Sequence, residues 1–354
     1  VINDMHTSAR GTIDPFIVMD VMEAARAAET AGRDIIHMEV GQPGTAAPQG
    51  AGEALRRSMS GGQALGYTVA LGLPALRERI ARLYGERYDV DLDPSRVIVT
   101  AGSSGAFVLS FIALFDAGAR VGVGAPGYPS YRQILRSLDL VPVVIPTEPE
   151  HRYQPVPTDI TEHRLDGLMV ASPNNPTGTM LDRPALEALI GAAHEADAAF
   201  ISDEIYHGLE YDRPAVSALS VTDDCYVINS FSKYFSMTGW RIGWMVVPEA
   251  HVRQVERLAQ NLFICPPHAS QVAALASIDC VDELEANCAV YAENRRLILD
   301  GLPAAGFTTF APPDGAFYVY ADVSDLTDDS LAFCRELLDE AGVAVTPGID
   351  FDPV

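Results

Sequence analysis

The segment LMVASPNNPTGTMLDRPALEALIGAAHEADAAFISDEIY, residues 168–206, decides the fold. It opens on an apolar run, Leu168–Ala171, of the length expected for a strand buried on both faces. A turn follows, set by Pro173, Pro176 and Gly178. Apolar residues at helical spacing then run from about Pro184 to Glu195, and Ala198–Ser202 reads as a second strand. Strand, helix, strand is a crossover unit, and a crossover implies a parallel sheet.

The alternation continues on both sides. Arg96–Ala101 is strand-like and Gly105–Phe115 helical; Val121–Ala125 is strand-like, Ser130–Leu138 helical, and Leu140–Ile145 strand-like again. Tyr226–Asn229 is a further strand. Trp240–Val247 comes too soon after it for a helical crossover and is expected to run antiparallel. The predicted class is α/β, with a mostly parallel mixed sheet between helices on both faces. Before this, Val18, Val21, Met22, Ala25 and Ala28 recur at helical spacing and Gly32 stops the helix. An extended run, Ile35–Val40, leads to Gly41-Gln42-Pro43. Residues 44–62, rich in Gly, Ala, Pro and Ser, are expected to be loop-dominated. From Ala250 to Leu302 the pattern is helical, broken at Pro266-Pro267. Phe307–Phe310, Phe317–Ala321, a helix around Ser330–Glu340 and Val343–Val345 suggest a smaller α+β unit.

With 354 residues, 48% hydrophobic and 20% charged, the composition is that of a globular protein. Asp and Glu number 48 against 24 Lys and Arg, a net charge of −24, which makes nucleic acid and anionic membranes poor partners. The five cysteines are scattered without metal-ligand spacing, as expected of free thiols in a reducing compartment. No apolar run is long enough to span a membrane and no signal-peptide pattern opens the chain, so a cytoplasmic location is expected. His194, His207 and His268 also lack ligand spacing. These three are read as surface or core histidines, Trp244 and Phe263 as packing residues, and the acidic run from Asp322 to Asp329 as a solvated face.

The basic residues comprise 23 arginines and one lysine, Lys233. A GC-rich genome drifts from Lys to Arg wherever only a cation is needed, but guanidinium cannot replace an amine nucleophile. The surviving lysine is therefore informative. It follows a strand in Ser230-Phe231-Ser232-Lys233, and other strand ends carry comparable chemistry. Gly102-Ser103-Ser104-Gly105 opens a helix, where free N–H groups suit a phosphate. Ser172-Pro173-Asn174-Asn175-Pro176-Thr177-Gly178 supplies two side-chain amides, more than a structural turn requires. Asp203 ends a buried strand, where a carboxylate needs a partner unless it serves only as a helix N-cap. Glu204 is given no role beyond capping local backbone. In open α/β sheets ligands bind beyond these strand ends. An amine, an anion cradle, a carboxylate and amide donors on one edge are the parts a pyridoxal phosphate site needs.

At this point the chain resembles the class I (class I/II) aminotransferases of the fold type I pyridoxal-phosphate enzymes. The motifs carrying the resemblance are Ser-Pro-Asn-Asn-Pro-Thr-Gly, Ser-Asp-Glu-Ile-Tyr and Ser-Phe-Ser-Lys…Gly-Trp-Arg, in the family's order and spacing. The resemblance implies that Lys233 carries pyridoxal 5′-phosphate as a Schiff base and shuttles the proton. Asp203 would pair with the pyridine nitrogen, with Asn175 and Tyr206 on the phenolic oxygen. Gly102, Ser103, Ser104, Ser230 and Arg241 would form the phosphate cup, and Tyr128 would stack on the ring. Gly41, with Asn175, would lie beside the substrate. Tyr67 would reach the phosphate of a neighbouring subunit, so a homodimer with shared sites is implied.

The implied fold is a large three-layer domain over 44–285 with a smaller α+β domain from both chain ends, 1–43 and 286–354. The substrates implied are an L-amino acid and a 2-oxo acid. The apolar stretch Leu262–Pro266 and the lack of lysine in Gly102–Ala106 favour a neutral or aromatic amino acid over a dicarboxylic one. The family's arginine for the substrate α-carboxylate is expected beyond Val354. Two alternatives stay open: a C–S lyase working by β-elimination on the same scaffold, and a cofactor-binding regulatory module.

Overall fold

A computed structural model of the protein describes residues 6–353. The outer limits of the expected domains, residues 1 and 354, and the arginine expected past Val354 lie outside the described residues. Among the described residues nine strands are formed: β1 Ile36–His37, β2 Val97–Thr100, β3 Arg120–Ala125, β4 Val141–Pro146, β5 Gly167–Ala171, β6 Ala199–Asp203, β7 Tyr226–Ser230, β8 Gly243–Val246 and β9 Val343–Ala344. The helices are α1 Ile17–Thr30, α2 Gln49–Ser60, α3 Pro74–Tyr88, α4 Gly102–Leu114, α5 Pro129–Ser137, α6 Pro157–Glu162, α7 Arg183–Glu195, α8 Glu249–Leu262, α9 His268–Ser277, α10 Val281–Gly301 and α11 Ser330–Glu336.

Seven strands form one sheet in the order β2-β8-β7-β6-β5-β3-β4. All neighbours are parallel except those of β8, which runs antiparallel to both β7 and β2. The sheet is covered on both faces. Along β2, β5, β7 and β8 alternate residues enter opposite cores: Val97, Leu168, Val227 and Trp244 go to one side, and Ile98, Met169, Ile228 and Met245 to the other. That two-residue period through a doubly buried sheet explains the continuous apolar runs in the sequence. Helices α4, α5 and α8 contribute to the second core and α3, α7 and α9 to the first. The predicted α/β class with three layers and a mostly parallel mixed sheet is the architecture observed.

Three local expectations are corrected. Residues 44–62 contain α2, whose Ala51 is fully buried. The small residues that read as a loop let this helix approach closely: a Cβ on Gly50 would lie 2.7 Å from Cys280 Sγ. The expected strands at 307–310 and 317–321 shrink to an isolated antiparallel bridge between Phe310 and Ala321, because Pro312 and Pro313 have no N–H with which to extend a ladder. The extended run at 35–40 keeps only β1, which pairs in parallel with β9 and so joins segments from the two ends of the chain. Phe263, expected to pack, is 37% exposed in the single chain.

Candidate active site

The parallel strands deliver their carboxyl ends to one edge of the sheet. Ala171 lies opposite Asp203, and Asp203 opposite Ile228, so the turn after β5, the end of β6 and the loop after β7 are neighbours. The antiparallel strand brings in the arginine. Gly243 begins β8 beside both Thr100 and Ser230, so the residues before it lie at the edge where the other strands finish. Arg241 is thereby set against Gly102. It holds a left-handed conformation, φ 50°, uncommon for a residue with a side chain.

Gly102 has φ 71°, and a Cβ there would collide with the Arg241 guanidinium. Gly243 has no more room: a Cβ would lie 2.8 Å from the Asn229 carbonyl and 3.1 Å from the Ser103 nitrogen. Two glycines thus allow the N-terminus of α4, with Ser103 and Ser104, to pack against the loop bearing Arg241. Ala101 gives α4 no side-chain cap, so its first N–H groups remain open to an anion. Ser230 is buried; its hydroxyl donates to Ser232 Oγ at 2.9 Å and accepts from the Ser232 N–H at 3.0 Å.

Lys233 Nζ donates to the Gly41 carbonyl at 2.5 Å, which brings the segment after β1 over the lysine. The amine lies 5.4 Å from the centre of the Tyr206 ring and 5.7 Å from that of Phe317. Burial pulls its pKa down to about 8; the Asp203 charge opposes this and the Arg241 charge adds to it. Asp203 is 2% exposed and is not a helix N-cap. Its Oδ1 accepts from the Ile205 N–H at 3.1 Å and its Oδ2 from the Tyr131 hydroxyl. Burial raises its pKa to about 6 against the pull of these donors and of Lys233.

The two asparagines divide their tasks. Asn174 is structural: its Nδ2 donates to the Pro126 carbonyl and to Thr177 Oγ1, both at 3.1 Å, tying the turn to the loop bearing Tyr128. Asn175 has a buried Oδ1 without a partner. Tyr128 precedes α5, and its ring meets Phe16 edge-on at 5.7 Å and Tyr131 at 5.2 Å. Tyr206 is buried and shares a 2.6 Å hydrogen bond with the Tyr318 hydroxyl. Tyr67 is not brought to this edge by its own chain and stands 83% exposed.

The motifs do not mark Tyr131, Phe317 or Tyr318. Tyr131 lies three residues beyond Tyr128, the residue that opens α5, a spacing that brings the two rings together and was a usable signal. Phe317 and Tyr318 arrive from a distant segment that carries no such signal. Behind the edge lies a further buried pair. His207 shares hydrogen bonds with the Ser172 carbonyl at 2.9 Å and the Tyr88 hydroxyl at 2.8 Å. Its Nδ1 is 3.5 Å from Oε2 of Glu204, a carboxyl oxygen without a hydrogen-bond partner. Burial lowers the His207 pKa to about 3 and raises that of Glu204 to about 8. Glu204 thus does more than cap backbone: it is a wholly buried acid.

These features suit pyridoxal phosphate. A glycine-lined cradle at a helix start matches its phosphate, an amine whose pKa is lowered to about 8 its aldehyde, a fixed carboxylate its ring nitrogen, and the side chains of Asn175 and Tyr206 its phenolic oxygen. Among the described residues no cluster could hold a metal ion, and no helix is long and apolar enough to cross a membrane.

Comparison with known proteins agrees with this chemistry. The family model "Aminotransferase class I and II" matches residues 33–352. The chain is 47% identical to the valine–pyruvate aminotransferase of Mycobacterium tuberculosis, over 97% of this chain and 90% of that one. A solved structure from Silicibacter pomeroyi, provisionally described as an aminotransferase, superposes with a TM-score of 0.94 at 70% identity, covering 99% of this chain and 91% of its own. The aspartate aminotransferase of Thermus thermophilus, solved with maleate, gives 0.92 at 32% identity, covering 98% and 92%.

Proposed function

The chain belongs to the class I and II aminotransferases, which use pyridoxal 5′-phosphate, and from that premise we propose that it moves the amino group of a neutral L-amino acid to a 2-oxo acid at the site around Lys233. The observation that carries this reading is the single lysine, half-buried, with its amine on the Gly41 carbonyl and its pKa pulled down to about 8. Pyridoxal phosphate, linked to that amine, supplies an electron sink that makes the substrate Cα–H acidic.

The chain's own residues do the rest. The N–H groups opening α4, with Ser103, Ser104, Ser230 and Arg241, bind the phosphate, and Gly102 leaves room for it. Asp203, held by Tyr131 and the Ile205 N–H, accepts a hydrogen bond from the ring nitrogen and keeps it protonated. Asn175 and Tyr206 donate to the phenolic oxygen, and Tyr128 covers the ring. Freed when a substrate amine takes its place, Lys233 Nζ would be the group that takes up the substrate Cα proton and gives it back. An amine with a pKa near neutrality suits both directions. Gly41 lies beside the substrate.

A neutral donor is supported by the aromatic surroundings, in which Phe16 packs on Tyr128 and Phe317 lies over the lysine. It is also supported by the name of the M. tuberculosis relative, although the T. thermophilus relative is named for aspartate. The reading includes a homodimer in which Tyr67 enters the partner's phosphate cup; the exposed Leu262, Phe263 and Ile264 would belong to the same contact.

Borohydride reduction of the cofactor-replete enzyme, followed by peptide mass mapping, is expected to find one pyridoxyl adduct, on Lys233. A panel of amino acids with pyruvate as acceptor should then favour valine and its neutral neighbours over aspartate. An unmodified Lys233, or pyruvate released without any acceptor, would overturn the proposal.

A further inference from the structure

The segment Pro313–Tyr318 is fastened with unusual thoroughness. The Asp314 carboxylate accepts from the Met180 N–H at 3.0 Å and from Arg152, and pairs with Arg213 at 3.7 Å. Its carbonyl accepts from the Tyr211 N–H at 3.0 Å. Arg295 Nε donates to the Pro313 carbonyl at 2.8 Å. The Gly315 N–H donates to the Gly178 carbonyl at 2.9 Å and the Ala316 N–H to that of Leu209 at 2.8 Å. The Ala316 carbonyl in turn accepts from the Tyr211 hydroxyl. Gly178 closes the turn that carries Asn175, and Leu209 closes the loop that carries Tyr206.

Within this lacing Ala316 is fully buried at φ 59°, a left-handed conformation costly for a residue with a Cβ. Such strain persists where the surroundings over-determine it, and it gathers at functional sites. Its product here is the direction of the next two residues. The Phe317 ring stands edge-on to Tyr206 at 5.9 Å and the Tyr318 ring at 5.6 Å. The Tyr318 hydroxyl ends 2.6 Å from that of Tyr206 and so close to Gly41 that a Cβ there would overlap it.

We infer that Tyr318 is a positioning residue of the transamination site, its hydroxyl holding and polarising that of Tyr206 against the cofactor's phenolic oxygen. The inference rests on the role proposed above for Tyr206. Burial pushes the pKa of both phenols upward, so both keep their protons. When Tyr318 donates to the Tyr206 oxygen, the Tyr206 proton is left free for the cofactor. A hydroxyl that accepts one hydrogen bond while donating another is the stronger donor. No covalent step is involved.

The test is a pH titration of the visible absorbance of the holoenzyme, compared among wild type, Tyr318→Phe, Tyr206→Phe and the double variant. Phenylalanine keeps the ring and removes only the hydroxyl. With the donor weakened, negative charge on the phenolic oxygen is less neutralised, and the neighbouring proton on the lysine-linked nitrogen is held more tightly. The midpoint in Tyr318→Phe should therefore rise by about half to one pH unit, the scale of one hydrogen bond. In the Tyr206→Phe background the same change should do nothing more. A shift in Tyr206→Phe without one in Tyr318→Phe overturns the inference and leaves the role of Tyr206 standing. Equal shifts from Tyr318→Phe in both backgrounds also overturn it. Two flat titrations remove this inference and the role of Tyr206 together.

Discussion

Replacing Glu204 by glutamine should make the enzyme more stable, and more so as the pH rises. The carboxyl is fully buried, and burial raises its pKa from the ordinary 4.5 to about 8. One oxygen accepts from the Ala218 N–H at 2.8 Å and the Ser202 hydroxyl at 3.2 Å; the other has no partner. Below pH 4.5 the group is protonated in folded and unfolded chains alike and costs nothing. As the pH climbs, the unfolded chain ionises first, so stability drains away until the folded group ionises too, near pH 8. Each pH unit in that window costs about 1.4 kcal/mol, giving roughly 3 kcal/mol at pH 7 and at most about 5 kcal/mol by pH 8.

Glutamine cannot ionise. Its carbonyl can accept both existing hydrogen bonds, and its NH2 points where Oε2 lies 3.5 Å from His207 Nδ1. Urea midpoints of the holoenzyme, at fixed protein and cofactor concentration from pH 4 to 8, should nearly coincide for wild type and Glu204→Gln at the acid end and diverge towards pH 8. A constant difference across that range, or an equally steep decline in the variant, would refute the reasoning, since either would mean that the folded carboxyl titrates as it does in the unfolded chain.

Two further outcomes follow from the site. Tyr131→Phe removes a donor that holds the Asp203 pKa down, so the pH at which the holoenzyme releases pyridoxal phosphate on acidification should move upward; an unmoved midpoint would exclude Asp203 as its source. Gly102→Ala puts a Cβ into the Arg241 guanidinium at φ 71°. Equilibrium dialysis should show pyridoxal phosphate bound about 10- to 100-fold more weakly, the scale of 1–3 kcal/mol of local strain, with the overall fold intact by circular dichroism.

Much of this was legible in the sequence because of how a doubly covered sheet is built. Strands buried on both faces must be apolar along their length, so β5, β6 and β7 stand out, and polar residues at their carboxyl ends have no structural reason to cluster there. Lys233, Asp203, Asn175 and Arg241 could be singled out in this way. Helix α2 could not, since a stretch of small residues describes equally a loop and a helix that packs closely. The unequal duties of Asn174 and Asn175 were hidden as well. Identical side chains differ here only in whether the Pro126 carbonyl lies within reach.

Composition and local pattern were sufficient for the α/β class, the crossover order and the singling out of Lys233, because each depends on neighbours a few residues apart. Tertiary structure alone decided the rest. The bond from Tyr131 to Asp203 spans 72 residues, that between Tyr206 and Tyr318 spans 112, and that from Lys233 to Gly41 spans 192. Each joins segments that meet only after the sheet has closed. Burial, which puts Glu204 near pH 8 and Lys233 at the same value from opposite directions, belongs to that level too: it comes from the atoms packed around a side chain, and those are contributed by the whole fold.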